Sequence, residues 1–431
     1  MLTLTTATVI LLGSFLILFL LHVPIALSLT ISSILTGLYL GIPLEVIGQR
    51  MLNGLNSFAM MAIPLFIFAG EIMGEGGLSS RLVRFSNLLV GRLRGGLAIV
   101  NILSTMFFGG ITGSAVADAS AIGSIMIPMM RMRGYDKDFA VGVTTTGAIQ
   151  GVLLPPSHNI ILYSLVAGGV SIPALFAAGL VPGISLGIVL MICSYIIAIR
   201  RRYPRGEKIP REEWMRVVIE GLLSLTPALI IVIGILAGVF TANESAAIAV
   251  VYALLLVTLG FREVNAKKLH QILISTFRRL SVVLFLIASS SAFAWLLSYL
   301  HVPELVLGFI TSLTTSRVGV FLLINLILLF LGMIMDMAPL ILITTPILLP
   351  VAVKYGMDPV QFGVMLMLNL GIGLLTPPVG SAIYVGCSLG ELTLEEAFKA
   401  ILPFLAVMVC MLMLITFIPG ISMSLPKMLV H

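Results

Sequence analysis

Leu154-Pro155-Pro156-Ser157-His158-Asn159 and Thr376-Pro377-Pro378-Val379-Gly380-Ser381 decide how this chain is built. Each is a tandem proline inside an otherwise apolar segment, and the two stand 222 positions apart. Two prolines remove two amide donors and cannot continue a helix, so each stretch is a break rather than a simple kink. The same offset pairs Gly110 with Gly332, Pro128 with Pro350, Gly134 with Gly356, Asp136 with Asp358 and Gly151 with Gly373. Matches of Leu and Ile are cheap in so apolar a chain, but Pro, Gly and Asp matches are not, and they fall at boundaries. The sequence therefore reads as a duplicated unit of hairpin, connector, broken helix and closing helix.

The surroundings of these breaks are lipid-like. Of 431 residues, 59% are hydrophobic and only 10% are charged, with a mean hydropathy of +1.17. Soluble domains carry about 25% charged residues, so an ordinary soluble enzyme, a disordered chain and a nucleic-acid binder are excluded. At roughly 20 residues per crossing there is room for about ten to twelve transmembrane passes. Four apolar segments are too short to cross alone: 116–130, 157–169, 338–353 and 379–389. They form two pairs, a hairpin with a polar tip and a broken helix, at matching places in two halves. Such interruptions are the best sequence pointer to a transporter's binding site. Cys193, Cys387 and Cys410 lie in apolar stretches without metal spacing; they read as packing residues. No cleavable signal peptide is expected.

Charge gives the expected orientation. With the run Arg200-Arg201-Arg202 placed in the cytoplasm, 20 of the 24 Lys and Arg residues fall on that side. Only Arg50, Arg317, Lys354 and Lys427 fall on the other. This bias follows the positive-inside rule, and it accounts for the net charge of +6 without an acidic partner. The same walk puts the bases of the two hairpins on opposite sides, so the repeats are expected to be inverted, with re-entrant tips facing each other. The N-terminus is then periplasmic. Segments 78–94 and 262–280 mix basic and apolar residues at helical spacing and are expected to lie along the cytoplasmic interface.

Irregular backbone at membrane depth is tolerated only against protein or a water-filled cavity. The first tip, Gly109 to Asp118, holds Gly110, Thr112, Gly113, Ser114 and Asp118, a set of carbonyl, hydroxyl and carboxylate oxygens suited to a hard cation. The second holds Asp336, an intramembrane carboxylate and hence a functional candidate by default; it can also cap the arm that follows. Carbonyls before each break, at Leu154-Pro155 and at Gly373, Thr376 and Pro377, are free for a cation. Amides after each break form the positive end of a half-helix suited to an anionic group. Ser157, His158, Asn159, Val379, Gly380 and Ser381 stand there, with Thr344 and Thr345 on the second arm. Glu244 reads as a first-turn carboxylate with Thr241 or Asn243 as cap, Glu71 and Glu75 as interfacial, and His22 and His301 as connectors. No nucleophile–His–acid constellation or nucleotide-binding loop is present.

Several stretches together resemble the large membrane subunit of tripartite ATP-independent periplasmic transporters, within the broader ion-transporter superfamily. They are Ala62-Ile63-Pro64-Leu65-Phe66, Ala69-Gly70-Glu71-Ile72-Met73, Gly113 to Asp118, Pro128-Met129-Met130, Gly238-Val239-Phe240-Thr241 with Glu244, Met335-Asp336, and Gly373 to Gly380. The resemblance covers essentially the whole chain. It implies a sodium-driven importer of organic acids in the bacterial inner membrane, working by an elevator movement, with Na⁺ as coupling ion and no other cofactor. It implies as partners a small four-helix membrane subunit and a periplasmic substrate-binding protein. Sodium would sit between the Gly113-Ser114 tip and the backbone before Pro155, and between Asp336 and the Thr376-Pro377 break. Many relatives read Ser-Ile-Pro where this chain has Ser157-His158-Asn159. The Ser-His-Asn form resembles the sialic-acid branch, which favours N-acetylneuraminate over C4-dicarboxylates, and a His-Asn pair offers more hydrogen bonds to a polyhydroxylated acid. Relatives also often have Thr-Pro-Thr-Glu where this chain has Thr241-Ala242-Asn243-Glu244.

The expected organisation is a scaffold over 1–94, a first transport repeat over 95–199, a basic cytoplasmic linker over 200–216, a second scaffold over 217–280 and a second transport repeat over 281–431. The competing readings are another sugar-acid or C4-dicarboxylate transporter of the family, a self-sufficient dicarboxylate carrier, and an ion channel or intramembrane enzyme. A channel needs an open pore and an enzyme needs a nucleophile or metal cluster; two closed tips suit alternating access instead.

Overall fold

A computed structural model of the chain describes residues 2–206 and 209–429, which form twenty α-helices. The first group is α1 (Leu2–Leu20), α2 (Ile25–Leu40), α3 (Leu44–Leu55), α4 (Ala62–Glu75) and α5 (Leu78–Val90). Next come α6 (Gly96–Thr112), α7 (Ala115–Met132), α8 (Lys137–Ala148), α9 (His158–Val166) and α10 (Ile172–Arg200). They are followed by α11 (Arg211–Leu236), α12 (Ala242–Leu255), α13 (Ala266–Tyr299) and α14 (Val302–Leu313). The chain closes with α15 (Arg317–Gly332), α16 (Met337–Lys354), α17 (Pro359–Gly373), α18 (Ser381–Gly390), α19 (Leu394–Phe417) and α20 (Pro419–Leu429). Six of the described helices are long and apolar enough to cross a membrane.

The element order repeats. The run from α6 to α10 is matched by the run from α15 to α19, and the first residues of α7, α8 and α10 precede those of α16, α17 and α19 by the sequence offset. In each run an outer arm and an inner arm meet at a short non-helical tip, and a connector helix ends at Pro-Pro. Both Pro-Pro peptides are cis. A buried amide ties outer arm to connector in each run. Asn101 of α6 donates to Thr144 of α8 at 2.6 Å, and Asn369 of α17 donates to Asn325 of α15 at 2.8 Å. Between helices in lipid, each such bond contributes about 0.6–2 kcal/mol.

α10, long and apolar enough to cross, shows a two-faced pattern. Leu186, Leu190, Ser194 and Ala198 are buried, while Ile184, Ile188, Ile192 and Ile196 on the opposite face are exposed. An apolar residue exposed every fourth position is a lipid face. Terminators are equally local. His22 and His301 adopt left-handed backbone just before Val-Pro and separate α1 from α2 and α13 from α14, which is the connector role expected of them. Thr241 caps α12 and Glu244 returns its carboxylate to the Thr241 amide at 2.8 Å, a full capping box.

Two expectations are corrected. Segment 262–280 is not a separate helix: α13 runs unbroken from Ala266 to Tyr299 and carries the basic segment and the apolar stretch in one element. The linker over 200–216 is shorter than expected, because α11 already begins at Arg211. Segment 78–94 does hold a distinct amphipathic helix, α5, with Leu78, Leu82 and Phe85 inward.

Candidate functional site

The first tip is built by a change of backbone hand. Gly113 ends α6 in left-handed conformation and Ser114 opens α7 in extended conformation as its cap. The turn brings the Thr112 hydroxyl onto the Asp118 carboxylate, to which it donates, and the Ser114 amide onto the Thr112 hydroxyl at 3.3 Å. Asp118 is fully buried. Its second oxygen has no partner among the described residues, so this tip carries an unspent buried acceptor of the kind a cation could use. Behind it lies the first break. Pro156, Ser157 and His158 back directly onto Gly113, the Pro155 carbonyl faces Gly110, and Asn159 donates its amide to the Gly113 carbonyl at 3.2 Å.

The second tip uses different atoms for a similar layout. Asp336 caps α16 by accepting from the Met337 amide at 2.9 Å. Gly332 and Gly373 approach backbone to backbone, leaving no room for a Cβ on Gly373. The Val379 amide donates to the Met333 carbonyl at 3.0 Å and fastens break to tip. The Leu374 and Thr376 carbonyls converge beside Gly380. Here one expectation needs correction. The amides of Ala382 and Ile383 both donate to the Leu374 carbonyl, so the start of α18 is partly closed by its own chain and does not present a free anion cradle.

Between the tips lies a cavity of about 820 Å³. Thr112, Ser114, His158, Asn159, Asp336 and Ser381 line it. The structure thus brings six of the expected site residues, from four separate segments, around one space. Gly110, Gly113, Leu154, Pro155, Asp118, Ser157, Gly373, Thr376, Pro377, Val379 and Gly380 are not at its surface; the contacts above set most of them in or behind the tips. Thr344 and Thr345 are not brought to the cavity at all. They lie buried within α16, and the Thr344 hydroxyl is taken up by the Leu340 carbonyl at 2.7 Å.

A further wall was missed at the sequence level. It is made by Ile67, Gly70, Glu71, Gly74 and Glu75 of α4 and by Arg278, Arg279, Val282 and Val283 of α13. Glu71, expected at the interface, lines the cavity. Its side chain is only 9% exposed and pairs with Arg279 at 2.6 Å, while its other oxygen accepts from Ser275 at 2.7 Å. The available signal was a carboxylate between Gly70 and Gly74 in a helix with no other charge before its last residue, Glu75. No group of three or more His, Cys, Asp or Glu suited to hold a metal occurs among the described residues.

This architecture has known counterparts. Over 89% of its length the fold matches the Alcanivorax borkumensis YdaH transporter, covering 90% of that chain, with a TM-score of 0.64 at 13% identity. In sequence the chain is 43% identical to the Salmonella typhimurium protein named "Uncharacterized protein YgiK", over 97% of both. It is 37% identical to the Escherichia coli 2,3-diketo-L-gulonate TRAP transporter large permease protein YiaN, over 88% of both. It is also 37% identical to the Vibrio cholerae sialic acid TRAP transporter large permease protein SiaM, over 88% of this chain and 89% of that one. Residues 12–421 match the family described as "Tripartite ATP-independent periplasmic transporter, DctM component". An all-helical, multi-pass membrane chain with a cavity between two broken segments thus belongs to the DctM-component family of large permease subunits of secondary transporters.

Proposed function

We propose that this chain is the transport subunit of a sodium-coupled importer for an organic acid, with N-acetylneuraminate as the leading substrate. The observation that carries this is the meeting of both tips and both post-proline segments around one cavity. A cation at a tip and an anionic solute in the cavity stabilise each other, so the solute is bound and moved only with its ion. Sodium is cargo here, held at the first tip by Thr112, Ser114 and Asp118 oxygens and at the second by Asp336 with the Thr376 break. Oxygen-only donor sets and unspent acceptors support that assignment. The repeats are inverted and carry the cavity between membrane faces by an elevator movement.

Substrate preference rests on His158 and Asn159, which line the cavity and, beyond the Asn159 bond to Gly113, keep polar atoms for a polyhydroxylated acid. Among relatives, one is named for sialic acid, another for 2,3-diketo-L-gulonate and others for C4-dicarboxylates; these are the competing substrates, and all bear carboxylates. A small membrane subunit and a periplasmic binding protein complete the system. Basic loops are cytoplasmic and the N-terminus periplasmic, so a cavity bordered by Arg278 and Arg279 opens inward.

The test is uptake of labelled N-acetylneuraminate into proteoliposomes holding the chain with its small subunit and binding protein, with and without an inward sodium gradient. Uptake is expected only with the gradient. Ser114→Ala and Asp336→Asn are expected to weaken apparent sodium affinity while membrane insertion persists. Sodium-indifferent uptake refutes the coupling, and uptake by this chain alone points to a self-sufficient carrier.

A further inference from the structure

We infer that Arg279, held by Glu71, which Ser275 in turn holds, is an anion-docking residue on the cavity wall formed by α4 and α13, resting on the reading of this cavity as the path of an organic acid. Glu71 of α4 and Arg279 of α13 form the shortest ion pair on that wall, at 2.6 Å. The two members are unequally placed: the Glu71 side chain is 9% exposed and the Arg279 side chain 60%. A carboxylate this enclosed, with its second oxygen spent on Ser275, is a fixed support. An arginine this open is not used up by it. Guanidinium has five N–H donors in a planar fork; Glu71 pairs with it through Nη1, which leaves further donors on a half-exposed side chain that lines the cavity. A second carboxylate can be gripped there in the bidentate geometry that arginine favours.

The neighbouring charges define what kind of site this is. Arg278 also lines the cavity, and Glu75 lies one turn beyond Glu71 on α4. Asp336 and His158 are the titratable groups facing them from the tip side. Two guanidinium groups against Glu71 and Glu75 leave the wall without net charge. It therefore offers an anion a pre-oriented fork, not a positive field, and it discriminates by the presence of a carboxylate. Arg279 would be specific for carboxylate-bearing solutes, and Glu71 and Ser275 would be its positioning residues.

The test reads Arg279 directly on the full chain in lipid nanodiscs. Arginine-selective modification by phenylglyoxal is followed by peptide mass spectrometry, with N-acetylneuraminate or succinate as carboxylate probes. N-acetylmannosamine and succinamide are their neutral counterparts. At twice the dissociation constant a probe occupies about two-thirds of its sites, so Arg279 modification slows about threefold. Exposed Arg262, outside the cavity, is expected to be unaffected. Glu71→Gln, which retains an acceptor for Ser275, is expected to speed basal modification and reduce the protection. Equal protection by neutral probes, or none by the carboxylates, overturns the assignment. Sodium-driven uptake into proteoliposomes holding the chain with its small subunit and binding protein tests the transport reading separately. Uptake without protection overturns Arg279 alone; protection without uptake leaves the anion site standing and overturns the transport reading.

Discussion

Gly113→Ala separates a functional tip from a merely structural turn. Gly113 has φ +62°, and an added Cβ would lie 2.7 Å from the Ser157 Cα, 3.1 Å from the His158 amide nitrogen and 3.2 Å from the Pro156 carbonyl. All three are backbone atoms of the break, so no rotamer change relieves the clash. The tip must withdraw by about 0.7 Å to reach ordinary contact. Left-handed backbone costs an alanine roughly 1–2 kcal/mol, of which the stiffer unfolded chain returns about 0.4–1. Overpacking adds about 1–3 kcal/mol. Gly134 provides the control: it has φ +79° in the turn between α7 and α8, with nothing within 4 Å of an added Cβ. Gly134→Ala therefore carries the backbone cost without the clash. Where the clash is borne by the closed, ion-bound arrangement, Gly113→Ala weakens apparent sodium affinity about 5- to 150-fold, the equivalent of 1–3 kcal/mol. Gly134→Ala leaves it unchanged. The assay is the sodium dependence of uptake for both variants, with thermal unfolding in parallel. Equal sodium dependence in the two would mean that contact between tip and break does not build the cation site.

Other perturbations test the frame. Thr241→Ala removes the α12 capping box; the loss is about 1 kcal/mol, so thermal unfolding shifts by about 1–2 °C while uptake is retained. Tyr203, in the segment after α10, donates to Asp136 at 2.6 Å and stacks on Tyr135. Burial first, and then the bond to Asp136, pushes its phenol up to about 12. A raised folded value means the stabilisation is complete below the ordinary value of 10 and drains as pH climbs from there through about 12. Thermal midpoints over that interval are expected to fall in the parent chain and to fall less in Tyr203→Phe; identical slopes would remove Tyr203 from the account.

What the sequence revealed followed from chemistry that admits few substitutes. Tandem proline and turn glycine cannot be replaced without changing the backbone, so their spacing exposed the repeated element order through apolar noise. The Thr241–Glu244 cap was legible because both partners lie within one turn. Long-range pairing was not. Ser275 and Glu71 lie 204 positions apart, and nothing local in either segment records the other. The continuity of α13 was hidden because hydropathy reports what surrounds a helix, not where its backbone ends. Thr344 is not brought to the cavity: a hydroxyl in a helix can satisfy itself on the carbonyl four residues back, as it does at Leu340. Ala382 and Ile383 misled for a similar reason: a free half-helix end was inferred without seeing that Leu374 folds back onto it.

The two tips are equivalent in sequence position but not in access, and this sets an order of events. Ser114 stands where the second half has Asp336, and the first tip's own carboxylate, Asp118, comes four residues later. That displacement changes its surroundings. Asp336 is exposed at the cavity wall, whereas Asp118 is fully buried and closed in by Thr112. Sodium at Asp336 would exchange with the cavity directly. Sodium at Asp118 could leave only after the Thr112 bond opens. Release into the cavity should therefore have a fast and a slow component, resolvable by stopped-flow dilution from sodium. Asp336→Asn is expected to remove the fast component and Asp118→Asn the slow one, while Thr112→Val, which cannot close the lid, speeds the slow component toward the fast. A single component in the parent chain, or a fast component that survives Asp336→Asn, would show that the two tips do not differ in access to sodium.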